Sequence, residues 1–220
     1  HSLRTYVLPQ YAGVNSATGR AVWYDKDGNY TYNPGTMELE YYAPYEFPNE
    51  LPDFYGGFQN TFDYKGLTFG VFFQYDYGRT LYDNMSRNLS RKGDSQINGI
   101  KWYYDNRWQS EGQITTVPRP IDGAAERSNA RGDLASTRYL QDGSYIRLKN
   151  ISLSYNLPKS WISGIHLRTA KVYLQANNLH TWTKFAGYDP EFYVVGSNTN
   201  SNVGVIPTVK SYYFGVQLGF

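Results

Sequence analysis

The sequence predicts an all-β protein, a sector of an antiparallel transmembrane β-barrel holding six or so strands. Three observations carry that expectation. Apolar and polar residues alternate with a period of two over several stretches of about ten residues, roughly the length a tilted strand needs to cross a bilayer. The connections between these stretches run long, short, long, short, long. The chain is also both aromatic-rich and polar, with 23 Tyr, 11 Phe and 5 Trp in 220 residues and a mean hydropathy of −0.60. Tyr and Trp rings favour boundaries where one end is dry and the other wet.

Strands are expected at 3–13, 54–63, 67–77, 144–156, 168–181 and 211–220. In the second, Phe54, Phe58, Phe62 and Tyr64 share one face, against Gln59, Thr61 and Asp63. In the third, Leu67, Phe69, Val71, Phe73, Tyr75 and Tyr77 oppose Thr68, Gly70, Phe72, Gln74 and Asp76. In the fifth, Val172, Leu174 and Ala176 oppose Lys171, Gln175 and Asn177, and in the last Tyr212, Phe214, Val216, Leu218 and Phe220 share a face. The fourth fits poorly. Ile151, Leu153 and Tyr155 share their parity with Arg147 and Lys149, whereas Ile146 and Leu148 lie on the other face. A lipid-facing Lys or Arg costs about 2–4 kcal/mol at the bilayer midplane. The pattern therefore predicts a β-bulge near Lys149-Asn150, or a strand whose outer half stands above the membrane.

Connections 14–53, 78–143 and 182–210 are long, whereas 64–66 and 157–167 are short. Irregular loops beyond about 12–15 residues are uncommon in compact soluble domains. Outer-membrane barrels combine short periplasmic turns with long external loops. This rule turns the three long segments outward and the end of the chain toward the periplasm. Six strands fall short of the eight in the smallest single-chain barrels. An open sheet in hydrocarbon leaves backbone groups unpaired at several kcal/mol each. The missing strands must come from the rest of a longer polypeptide or from partner copies; the former is expected, with this chain as the C-terminal part of the barrel.

Composition excludes several functions. With 21 Lys+Arg against 19 Asp+Glu there is no basic footprint for nucleic acid. Cysteine is absent, so there is no disulfide or thiolate chemistry. His1, His166 and His180 lack metal-ligand spacing. No apolar run approaches a membrane-spanning helix. His1-Ser2-Leu3-Arg4 is not a signal peptide, so any export signal lies upstream or has been removed. No nucleophile, acid/base pair or phosphate loop stands out. Neither an enzyme nor a cofactor is expected.

Individual motifs have a plain reading beside a functional one. Asp25-Lys-Asp-Gly-Asn29 has the opening of a calcium loop, but Thr36 stands where the twelfth-position Glu belongs, and Asp-Gly is a hairpin signal. Trp102, Tyr103, Tyr104 and Trp108 would stack on a sugar ring of a substrate or anchor a partner protein, or else pack the longest loop upon itself. Arg131-Gly-Asp133 reads as a chance tripeptide. The basic residues of 78–143, such as Arg87, Arg107 and Arg138, are largely offset by acids. Trp161 and Ile162 suggest a short helical turn at the interface. Gly56-Gly57 suggests a bend or a close backbone approach. Gln59, Thr61, Gln74, Asp76, Gln175 and Asn177 are expected to face the lumen, in contact with a plug or with solute.

The closing segment Tyr213-Phe-Gly-Val-Gln-Leu-Gly-Phe220 resembles the C-terminal assembly signal of outer-membrane proteins, through Gly215, Leu218 and Phe220. An exposed last strand is captured by edge pairing. Further segments resemble the SusC/RagA family of TonB-dependent transporters from Bacteroidetes. They include Tyr11-Ala-Gly-Val-Asn-Ser-Ala-Thr-Gly19, Trp23-Tyr-Asp-Lys-Asp-Gly-Asn29, Pro52-Asp-Phe-Tyr-Gly-Gly-Phe-Gln-Asn-Thr-Phe62 and Gly70-Val-Phe-Phe-Gln-Tyr75. Asp142-Gly-Ser-Tyr-Ile-Arg-Leu-Lys-Asn150, Leu153-Ser-Tyr-Asn-Leu-Pro158, Asn177-Asn-Leu179, Gly187-Tyr-Asp-Pro-Glu191 and Pro207-Thr-Val-Lys-Ser-Tyr212 follow in the family's order. His180 departs from a position where the family commonly has an aromatic.

The resemblance implies a 22-stranded multi-pass barrel in the bacterial outer membrane, with a plug and earlier strands that precede this chain. It also implies a SusD-like surface lipoprotein as a lid, energy from the TonB complex, and import of oligosaccharides or peptides. Two other classes compete. A passive porin-like or adhesin barrel would lack a plug and a TonB box upstream. An outer-membrane enzyme would need a nucleophile–His pair, which the sequence does not offer.

Overall fold

The computed structural model describes residues 8–33, 51–90, 98–120, 134–165, 167–191 and 206–220. The chain divides into two compact units. One comprises His1–Glu50, Thr80–Gln141 and Tyr193–Val205, the other Leu51–Arg79, Asp142–Phe192 and Ile206–Phe220.

In the first unit, β1 (Tyr11–Val14), β2 (Ala21–Tyr24) and β3 (Tyr30–Thr31) form an antiparallel sheet in that order. The expected first membrane strand, 3–13, is thereby corrected. Residues 1–7 lie outside the described residues, and Tyr11–Val14 pairs with Ala21–Tyr24 in this small sheet. Pro9 lacks a ladder donor and Gly13 sits at φ +128, both at odds with a long regular strand. Ala21 and Trp23 form a core covered by Tyr11 and Leu134. Asp25 closes the β2–β3 hairpin, its Oδ1 accepting from the N–H groups of Asp27 at 2.9 Å and Asn29 at 2.8 Å. The hairpin reading of this motif holds. Further along, β6 (Thr80–Tyr82) pairs with β7 (Leu140–Asp142), and α1 (Asn84–Leu89) and α2 (Lys101–Asn106) lie between them in sequence. Asp83 caps α1 through the Ser86 N–H. The tripeptide at 131–133 lies outside the described residues.

The second unit holds β4 (Phe54–Tyr64), β5 (Leu67–Tyr77), β8 (Tyr145–Asn156), β9 (Thr169–Thr183) and β10 (Ser211–Gly219). They form a five-stranded antiparallel sheet ordered β10-β9-β8-β5-β4. Five of the six expected strands are thus in one sheet. Lys65 and Gly66, at φ +46 and +85, make the two-residue turn whose twist matches the flanking strands. Helix α3 (Lys159–Ile162) and a 3-10 turn at Ser163–Ile165 carry β8 into β9 at the same end of the sheet. There the exposed Trp161 meets Tyr155 edge to face. The longer connections all leave from the opposite end.

Register sorts the side chains into rows across all five strands, because successive residues point to opposite faces. Phe62, Phe69, Leu153, Leu174 and Phe214 form one row. Asn60, Val71, Ile151, Ala176 and Tyr212 form the next, and Tyr64, Leu67, Tyr155, Val172 and Val216 a third. The opposite face carries rows such as Thr61, Gly70, Ser152, Gln175 and Tyr213. The apolar rows are open to the outside, with Phe62 at 60%, Leu174 at 54% and Phe214 at 72% exposure. A continuous apolar face of this kind belongs against lipid or another apolar surface.

The misfit in β8 is resolved by the expected bulge. Phe72 pairs with Asn150 and Phe73 with Leu148, so Lys149 is an extra residue. Toward β9, Leu148 faces His180 and Asn150 faces Asn177, with Asn178 at φ +54. The extra residue inverts the parity. Tyr145 and Arg147 before it share the polar face with Asn150, Ser152 and Ser154 after it. Ile146, Leu148, Ile151, Leu153 and Tyr155 all fall on the apolar face.

Candidate functional site

The polar face of the five-stranded sheet gathers the chemistry-bearing side chains. Gln59, Thr61, Gln74, Asp76, Gln175 and Asn177 all lie on it, as their register requires. Toward the short-turn end it is a network of amides and hydroxyls. Asn177 Oδ1 accepts from Asn150 Nδ2 at 2.7 Å and Gln175 Nε2 at 3.2 Å, and Asn177 Nδ2 donates to Ser211 Oγ at 3.2 Å. Toward the long-loop end the face is ionic. Asp76 pairs with Arg79 at 2.6 Å, and Gln74 Nε2 donates to the Tyr145 hydroxyl at 3.0 Å and Glu191 Oε1 at 3.4 Å.

Arg147 is the hub of the ionic half, its side chain only 2% exposed. Its Nε donates to Thr181 Oγ1 at 2.8 Å, and one terminal nitrogen donates to Glu191 Oε2 at 2.5 Å and Thr208 Oγ1 at 2.8 Å. The other terminal nitrogen is paired with Asp189 Oδ1. Lys149, turned out by the bulge, reaches both Glu191 oxygens at 2.7 and 2.8 Å. Asp189 also accepts from the Glu191 N–H at 3.0 Å and the Thr208 N–H at 3.1 Å. Burial works to raise the Asp189 carboxyl, but the Arg147 hydrogen bond and these backbone donors outweigh it. They hold the group below the usual carboxylate range. Two cations and two anions thus neutralise each other, as a buried charge cluster must.

The segments 142–150, 187–191 and 207–212, which stand apart in the sequence with no expected link, converge here. The available signal was the awkward parity of Arg147 and Lys149, two cations needing partners, with Asp189 and Glu191 in a later acidic motif.

The aromatic quartet is split. Tyr103 is buried against Arg138, whose guanidinium lies 5.4 Å from its ring and 5.5 Å from that of Tyr11. Burial also pushes the Tyr11 hydroxyl well upward, offset only partly by Arg138. Trp108 donates from Nε1 to the Ser16 carbonyl at 2.8 Å. Its indole covers Gly19, where a Cβ would collide with the ring. Trp102 and Tyr104 are exposed. Two of the four rings therefore serve packing and two remain on the surface.

At the sheet edge, Gly215 lies under the ring of Tyr173, and a Cβ there would run into Cζ. Leu218 joins the apolar face, and Phe220 is exposed just beyond β10. Gly56 and Gly57 are likewise covered, by the rings of Tyr75 and Phe72. Close approach is therefore the right reading there, and what approaches is mainly an aromatic side chain. Among the described residues no group of His, Asp or Glu could hold a metal ion.

No family model matches the chain. Among curated proteins, a TonB-dependent receptor of Formosa agariphila, P3, is 30% identical over 213 residues, covering 94% of this chain and 19% of the receptor. A second receptor of that organism, P26, is 31% identical over 178 residues. The TonB-dependent receptor SusC of Bacteroides thetaiotaomicron is 23% identical over 98% of this chain. Among solved structures, the RagAB peptide transporter superposes with a TM-score of 0.73 at 31% identity, covering 98% of this chain and 23% of that one. The open-open state of the RagAB peptide importer gives 0.76 at 29% identity. The chain thus spans about a fifth of the length of the curated relatives it matches, 19% of P3 and of SusC. These relatives are receptors and transporters, not enzymes. A bacterial outer-membrane location agrees with them and with the exposed apolar rows. The chain belongs to the SusC-type TonB-dependent receptors and forms part of their β-barrel.

Proposed function

We propose that this chain is one sector of the wall of an active, multi-pass outer-membrane importer of oligosaccharides or peptides. The observation that supports this reading best is the division of the five strands into an apolar face and a hydrogen-bonding face. Hydrocarbon takes the first, and a plugged, polar lumen takes the second. In this reading the polar row from Gln59 to Asn177, with Thr61, Gln74, Asp76 and Gln175, faces the plug and the transport path. Gly215, Leu218 and Phe220 serve assembly, and Trp102 and Tyr104 are the quartet's members left to touch substrate or lid. A SusD-like lipoprotein covers the outer mouth, and the TonB complex acts through the plug. The likeness to RagAB and to SusC supports this arrangement.

Uptake by cells carrying the complete receptor and its lipoprotein tests the reading. Fluorescent oligopeptides and fluorescent oligosaccharides are supplied in parallel, with and without functional TonB. Accumulation of one class, abolished without TonB, is expected. Accumulation that persists without TonB favours the passive barrel instead.

A further inference from the structure

The flanks of the connection between β9 and β10 do not stand free above the sheet. Lys184–Glu191 and Thr208 are tied to the polar face of β8 through Arg147, and Asp189 ties the two flanks to each other. Phe185, Asp189 and Pro190 are buried, and Gly187 lies under the Phe185 ring, with no room for a Cβ between them. The segment is therefore packed as well as ion-paired. Beneath it Tyr145 is only 4% exposed, hydrogen-bonded to Gln74 with the Arg147 guanidinium 5.5 Å from its ring. The short-turn half of the same face has no such cover from the described residues.

We propose that Arg147 is a positioning residue that pins residues 184–191 over the outer part of β8 on the lumenal face as a fixed strap, closing that part of the wall to solute. Substrate then passes along other sectors, and the Lys149 bulge is what turns Arg147 inward to hold the strap. This rests on the reading that the polar face is lumenal. A planar guanidinium suits the task because its fork engages Thr181, Glu191, Thr208 and Asp189 at once, which a point charge does not match.

The test uses the complete receptor in outer membranes, with single cysteines in an otherwise cysteine-free background and a membrane-impermeant maleimide added from outside. With Arg147 present, Tyr145→Cys is expected to react slowly. With Arg147→Met it reacts at least about tenfold faster, and Arg147→Lys falls between. Equal rates for Tyr145→Cys with and without the Arg147→Met substitution, whether fast or slow, overturn the strap. Phe73→Cys on the apolar face separately checks the orientation. It stays unreactive if that face meets lipid, and rapid labelling there overturns the barrel reading itself. All variants are compared as barrels that keep folded, heat-modifiable mobility. If Arg147→Met does not fold, Glu191→Gln replaces it with the same expected direction and the same criterion.

Discussion

The two units of this chain use the same aromatic-rich vocabulary in opposite ways. In the small sheet of the first, Trp23 is 1% exposed and sits in an ordinary core with Ala21 and Tyr11. In the five-stranded sheet, large apolar side chains are the most exposed groups. The polar face carries the buried charged and phenolic groups, Arg147, Asp76 and Tyr145. A water-soluble fold hides its greasy groups. A wall between hydrocarbon and a filled lumen presents them and hides its charges instead. Two surroundings thus act on one chain, and burial alone does not mark a core here.

The comparison is tested most strongly at Trp23. Trp23→Ala is expected to destabilise the small sheet by about 3–5 kcal/mol, as for other large buried aromatics. Hydrogen exchange of the β1–β3 amides in the complete receptor should report it, with the five-stranded sheet unaffected. Next comes Leu174→Arg, expected to cost about 2–4 kcal/mol when the barrel unfolds reversibly from lipid vesicles. Gln175→Arg, one residue along on the other face, should cost far less. A change within about 0.5 kcal/mol at Leu174 is what a water-exposed site would give, and it would erase the contrast.

A smaller effect is expected at Gly215→Ala, which drives a methyl into the Tyr173 ring and should lower stability by about 1–3 kcal/mol. Adding Tyr173→Ser should restore the yield of folded barrel, because the obstructing atoms are gone. Smallest near neutral pH is the titration of Asp189. Its folded carboxyl lies below the ordinary value. Its contribution is therefore complete above the unfolded pKa of about 3.9 and is lost only as pH falls through the lower, folded one. Labelling beneath the strap, taken relative to a freely exposed reference cysteine so that the loss of thiolate in acid cancels, should stay flat from pH 7 to about 4 and rise only in stronger acid. Asp189→Asn should remove this acid-dependent step.

Much of the wall was legible in the chain. Which face the residues of 54–64, 67–77 and 170–177 occupy follows from a period of two, and side-chain direction in a strand is set by the residue's own backbone. The Lys149 bulge was legible for the same reason, as a local break in parity with charge on the wrong side. Residues 3–13 misled because alternation over a short stretch does not say which sheet a strand will join. Tyr11–Val14 found its partner in Ala21–Tyr24 instead.

Strand type, the two faces and the break in parity at Lys149-Asn150 were readable from the chain alone, all consequences of backbone geometry between near neighbours; that the break is a bulge came from the strand pairing. The folded chain alone brings Arg147 to Asp189, Glu191 and Thr208, lays Trp108 over Gly19 and lays Tyr173 over Gly215. Those partners lie tens of residues apart. No local periodicity encodes them, and they are chosen by which surfaces can pack and which charges find counter-charges once the strands are in register.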